Sequence, residues 1–380
     1  MFRPSALAIC LFTAGVASVF GGCSSDKDPS ATNDPPNDPP KGDPAGGGSN
    51  DGQLGAPPNA PPDGTPDDVE LEDGGRSSDA RASAPPPPRD AGGPVVTDAG
   101  SGAKDAGPSP GPDPAAQVCA RWRSDRQERA EGAWSGNVAA CNAGDTASPG
   151  RANALKLVNL YRWMAALSPV TDDAAKNAKS QQCALMMDAN KSLNHSPPTT
   201  WKCYSQDGAD GAGRSNIATT PGVKAVDLYM SDPGNETTLG HRRWILSKSL
   251  GPIGLGSTSN YSCMNVIGGS GNEARPYVAW PPGGPFPSGA LKASFSYQLD
   301  KTGWSIQSDT IDLSKGTVTI TDGGTNMPVT VNVLGANYGS RYAIRMVPNG
   351  WTSQKGHTYS VSVSGISQPI NYQVQITDCD

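Results

Sequence analysis

Gly240-His241-Arg242-Arg243-Trp244-Ile245-Leu246 is the stretch on which the reading of this chain turns, because an imidazole and two guanidiniums stand directly ahead of an apolar run. The 380-residue sequence holds three histidines: His195, His241 and His357. His195 lies in Leu193-Asn194-His195-Ser196-Pro197, at the end of a helical pattern, while His357 lies in Lys355-Gly356-His357-Thr358, which reads as a surface hairpin turn. Upstream, Ala154 to Leu167 places Leu155, Val158, Tyr161 or Arg162, Ala165 and Leu167 at near-helical spacing, with Ser168-Pro169 as the stop. Asp172 to Leu193 predicts a second helix, opened by Thr171 as N-cap and carrying Ala175, Ala178, Cys183, Leu185, Met186 and Ala189. Val223 to Met230, after Pro221, predicts a third that stops near Asp232-Pro233-Gly234. Gly251 to Gly256, Ser262 to Ile267 and Tyr277 to Trp280 are short apolar stretches suited to strands.

Downstream the periodicity changes. Pro281-Pro282-Gly283-Gly284-Pro285 marks a boundary, and beyond it Thr317–Ile320, Val329–Val333, Tyr342–Met346, Tyr359–Val363 and Tyr372–Ile376 alternate with period two between turn residues. Short strands at this spacing predict a small all-β sandwich over residues 288–380, of immunoglobulin-like size.

Read in order, several motifs resemble the cysteine-rich secretory, antigen 5 and pathogenesis-related superfamily, the CAP or SCP domain, in its bacterial form. Val158-Asn159-Leu160-Tyr161-Arg162 is similar to its opening helix, and Leu193-Asn194-His195-Ser196 to its first histidine motif. Ser215-Asn216-Ile217-Ala218 stands where the family has Gly-Glu-Asn-Ile. Ala225 to Met230 resembles the next helix, Gly240 to Leu246 the second histidine motif, and Val278-Ala279-Trp280-Pro281-Pro282 a late strand. The resemblance implies an α+β class, with an α-β-α sandwich over residues 117–287 and one cleft that gathers two histidines and two acids. Carried onto this chain, the histidines are His195 and His241. The first acid falls at Ser215, which is not an acid, and the second at Asp227, with Asp232 and Glu236 as rivals because an insertion blurs the register.

The ends of the chain add a compartment. Arg3 precedes an apolar run from Ala6 to Phe20, the layout of a secretory signal peptide over residues 1–22. Phe20-Gly21-Gly22-Cys23 resembles a lipobox, in which Cys23 would carry the acyl chains that hold the protein to a membrane. Residues 23–116 are rich in Asp, Pro, Gly, Ser and Ala, with no aromatic between Phe20 and Trp122, and read as a long disordered tether. The whole sequence carries 46 glycines and 36 prolines, and its net charge of −6 provides no basic surface for nucleic acid. Ser24 after the cysteine fits sorting to the outer membrane or cell surface.

Of the eight cysteines, Cys10 leaves with the signal and Cys23 is the lipid site. Cys119, Cys141, Cys183, Cys203, Cys263 and Cys379 remain, an even set that an oxidising compartment joins as disulfides in any of 15 ways. Proximity favours Cys119 with Cys141 and Cys183 with Cys203, leaving Cys263 with Cys379. Two imidazoles beside a carboxylate could hold zinc at His195 and His241, but a stable site takes three or four ligands and a serine hydroxyl is a poor third. Ser215, a histidine and Asp227 also contain the ingredients of a hydrolase triad, without a nucleophile elbow. Arg242 and Arg243 read as surface residues paired with local acids. The expectation is therefore a surface-displayed lipoprotein that binds a small apolar ligand or an envelope component through an incomplete cleft. The alternative is a metal-assisted hydrolase of peptide or envelope substrates.

Overall fold

The computed structural model describes residues 113–146, 148–292 and 298–379. The expected signal peptide, Cys23 and all but the end of the expected tether lie outside the described residues. Helices α1 (Pro114–Gln127), α2 (Ser148–Met164), α3 (Ala174–Asn190) and α4 (Gln206–Ala212) lead into strand β1 (Ser215–Ala218). Helices α5 (Gly222–Ser231) and α6 (Gly240–Ile245) come next, then β2 (Gly254–Ser257) and β3 (Ser262–Asn265). The chain continues through β4 (Val278–Trp280), β5 (Gly284–Pro287), α7 (Leu299–Thr302), β6 (Trp304–Ser308), β7 (Thr317–Asp322) and β8 (Thr325–Asn326). It ends with β9 (Val329–Val333), β10 (Tyr342–Pro348), β11 (Thr358–Ser364) and β12 (Ile370–Thr377), so the class is α+β.

The first sheet is antiparallel, in the order β1-β3-β2, with Ser215 opposite Asn265 and Leu255 opposite Met264. Alternation sends Ile217 and Cys263 to one face, where they pack with Cys183, Met186 and Met187 of α3 and Ala212 of α4. Leu255 and Met264 point the other way, into a larger core shared with Leu157 and Tyr161 of α2 and Val226 and Tyr229 of α5. Helices thus cover both faces of this sheet. Close packing of α3 explains two glycines in β2: a Cβ on Gly256 would lie 2.2 Å from the Gln181 nitrogen, and one on Gly254 2.5 Å from the Lys176 backbone. The cap of α3 is Asp173, whose carboxylate accepts the Lys176 N–H at 2.8 Å, two residues past the expected Thr171.

Two further sheets follow, β4-β6-β10-β9 and β5-β12-β11-β7-β8. Their first strands, β4 and β5, come from before residue 288, so the sheets reach back across the expected 287/288 boundary. The Pro-Gly-rich stretch read as a boundary runs directly into β5, which is parallel to β12 with Phe286 opposite Ile376. The core is continuous through Trp280, which meets Tyr161 at 5.5 Å and Phe286 at 5.1 Å edge to face.

Arg242 and Arg243 are buried, not on a helix surface as expected. Arg242 donates to the carbonyls of Met230, Ser231 and Gly303 and to the hydroxyls of Thr302 and Ser305. Arg243 donates to the carbonyls of Thr238, Gly335 and Ser340. Carbonyl and hydroxyl partners replace the expected acids, and burial pushes both guanidiniums down to about 10, which leaves them charged at neutral pH. They join α6 to the C-terminal strands.

The six cysteines do form three disulfides, but none of the three expected pairs is present. The bonds are Cys119–Cys379, Cys141–Cys203 and Cys183–Cys263. Nearness in sequence misleads here because α3 lies across β3, which brings Cys183 to Cys263, and because α1 meets the end of the chain. There Arg123 also donates to the Cys379 carbonyl at 3.1 Å. The Cys119–Cys379 bond spans 260 residues, and in the chain-entropy account closing such a loop is worth on the order of 5 kcal/mol.

Candidate functional site

Both motif histidines are anchored to one short piece of chain, the α4–β1 connection. His195 donates Nδ1–H to the Ala212 carbonyl at 2.9 Å, since a carbonyl can only accept. The His241 carbonyl accepts from the Asn216 side chain at 3.1 Å. Ala212 and Asn216 are four residues apart, a reach of at most about 14 Å of extended chain. The topology therefore brings both histidines to the same end of the first sheet. His195 is nearly buried and His241 wholly so.

The acid on His241 is Asp232. Its Oδ1 lies 2.9 Å from His241 Nδ1, and Asn235 donates to the same oxygen at 2.9 Å. Its Oδ2 accepts the Arg242 backbone N–H at 3.2 Å. Asp232 occupies the left-handed cap of α5, with φ of 52°, a conformation that aspartate tolerates better than most residues. A carboxylate on Nδ1 orients the ring and fixes its tautomer. Tyr229 tilts against the imidazole with centroids 5.0 Å apart.

Asp227 belongs to another cluster. It accepts a fork from Arg126 at 2.8 and 2.8 Å, a third bond from Arg129, and the Tyr161 hydroxyl at 2.5 Å. Two residues before Tyr229 on α5, it points roughly to the opposite side of the helix, toward α1 and α2. Burial and then the Asp227 charge hold the Tyr161 hydroxyl well above its ordinary range. Burial alone would lower Arg126, but Tyr161 and Asp227 outweigh it and raise that guanidinium. Asp227 is thus separated from the histidines it was expected to join. Glu236, the other rival, is exposed and bonds its carboxylate to the Gly234 N–H at 3.0 Å.

Ser215 is fully buried opposite Asn265, and neither its Oγ nor Asn265 Oδ1 has a hydrogen-bond partner. Orphaned buried groups of this kind each cost about 1–3 kcal/mol. The residues present do not complete a zinc site: the third position is a serine, and no three His, Cys, Asp or Glu side chains among the described residues are grouped to hold an ion. A cavity beneath α5, lined by Val223, Tyr229, Leu255, Ser262 and Met264, measures about 20 Å³, room for a water rather than an organic ligand. Neither histidine lines it.

Residues 155–268 match the family model described as Cysteine-rich secretory protein family, CAP. This part of the chain is a CAP domain, running from α2 to just past β3 and holding both histidines, Ser215, Asp227 and Asp232. No curated protein and no solved structure matches the chain. CAP domains serve in general as extracellular binding and interaction modules, and three disulfides fit an exported protein. No helix among the described residues is long and apolar enough to cross a membrane. His357 is exposed as expected, but it lies on the connection from β10 to β11, which belong to different sheets and form no hairpin, with Nδ1 2.6 Å from Asp322. Asn235 was no part of the expected site. Its signal was the Asp232-Pro233-Gly234-Asn235 turn, which places two side chains capable of bonding an imidazole shortly before His241.

Proposed function

We propose that the protein is an envelope-associated binding module, carried to the outer surface by a lipid on Cys23 and recognising a small apolar ligand or a cell-envelope component at the histidine end of its CAP domain. One observation carries the reading: the histidine framework is kept and braced, while the place of the first acid is a buried serine without a hydrogen-bond partner. A site that orients imidazoles, one of them on Asp232, but has a serine in place of the first acid suits recognition better than acid-base chemistry. The two C-terminal sheets we read as a sandwich of immunoglobulin-like kind, which with the tether would display the CAP domain away from the membrane.

The test is the content of the full chain after mild purification, by native mass spectrometry and metal analysis. The binding reading expects a co-purifying apolar or envelope molecule, no stoichiometric zinc, and metal binding that appears only on Ser215→Glu. A metal-assisted hydrolase would instead show stoichiometric zinc in the wild type, lost when His195→Ala and His241→Ala are combined. Labelling with a fatty-acid analogue tests the anchor, and wild-type protein that stays unlabelled would contradict it.

A further inference from the structure

We propose that β9 is a pairing edge through which two copies of this chain join, antiparallel, about Val331. β9 is the terminal strand of its sheet, bonded to β10 on one side only. Leu334 N–H donates to the Ala343 carbonyl at 3.0 Å, so the alternate residues Asn332 and Thr330 also direct their backbone groups at β10. The N–H and C=O groups of Val329, Val331 and Val333 therefore face the outer edge. Val331 and Val333, 37% and 60% exposed, are the exposed large hydrophobic residues among those described.

Natural sheets protect such edges with lysine, inward charges or bulges. Val329-Thr330-Val331-Asn332-Val333 has no charge, and proline comes only before it, at Pro328. The strand is also a palindrome of apolar and polar positions. Turned about Val331 onto a second copy, it sets Val329 against Val333, Thr330 against Asn332, and Val331 against its own counterpart. Every facing pair is alike in polarity and no like charges meet. Val331, whose backbone groups face outward, exchanges both hydrogen bonds with itself across the two-fold axis. A competing occupant in sequence terms is the β-branched run Val95-Val96-Thr97 of the tether.

Sedimentation of the full chain, and of its Cys23→Ala variant to remove any contribution of acyl chains, measures the association. A dimer is expected in both. Val331→Pro removes an N–H that faces the edge and not β10, a place where strands tolerate proline. Val333→Lys puts like charges on the seam. Each is expected to weaken the dimer at least tenfold with the thermal transition retained; should Val331→Pro fail to fold, Val333→Lys alone decides. A monomer at every concentration, or a dimer indifferent to both substitutions, overturns the proposal. So does a monomer whose Val331 and Val333 amides exchange slowly until Val95→Asp and Val96→Asp release them, which would give the edge to the tether.

Discussion

Asp227 and Asp232 lie five positions apart at the C-terminal half and cap of α5, both buried, and they do different things. Asp227 gathers two arginines and a tyrosine and ties α1, α2 and α5 together. Asp232 gathers an imidazole, an amide and a backbone N–H and orients His241. The difference is one of helical phase: the first residue faces the helices, and the second, turned out by a left-handed cap, faces the histidine. Membership of a motif helix does not tell which acid serves the site; the direction of the side chain does.

The comparison breaks most visibly at Asp227. Asp227→Ala leaves Arg126, Arg129 and the Tyr161 hydroxyl without their shared acceptor, and removing one partner from a buried ionic cluster costs about 3–5 kcal/mol. Thermal or denaturant unfolding should record that loss while the His241 ring signals stay in place. Arg242→Ala, which strips the carbonyls of Met230, Ser231 and Gly303 of their donor, is expected to destabilise by about 2–4 kcal/mol. Its effect should fall on the C-terminal sheets as well as the CAP domain, seen as faster amide exchange in β6.

Asp232→Asn sharpens the other side. It keeps the size of the side chain, removes the negative acceptor, and is expected to cost about 1–3 kcal/mol in unfolding experiments. Ser215→Ala is the smallest step. It deletes a buried hydroxyl with no partner, so stability should stay level or rise by up to about 1 kcal/mol.

Much of this arrangement could be read in the sequence, and the failures have physical causes. The two histidine motifs keep local order and spacing, so their chain segments were recognisable. The β strands after Thr317 alternate so regularly that each expected strand is present. Helix α1 was hidden because its sequence, PAAQVCARWRSDRQ, is mostly polar and buries only Cys119 and Trp122, so no apolar stripe announces it. Strand β6, Trp304-Ser305-Ile306-Gln307-Ser308, does alternate apolar with polar residues, but only over five residues, and its polar positions are as buried as its apolar ones. Disulfide pairing depends on which elements cross in space, which nearness in sequence does not report. Arg242 and Arg243 looked like surface charges because a run of sequence cannot show that carbonyls from distant strands converge on them.

Nitrogen-15 NMR of the His241 ring, compared between the wild type and Asp232→Asn, tests the central claim most directly. The wild-type ring should carry its proton on Nδ1 in the bond to Asp232, and the substitution should shift that signal or its tautomer while the fold persists. Ring signals that are the same in both proteins would mean that Asp232 does not hold His241.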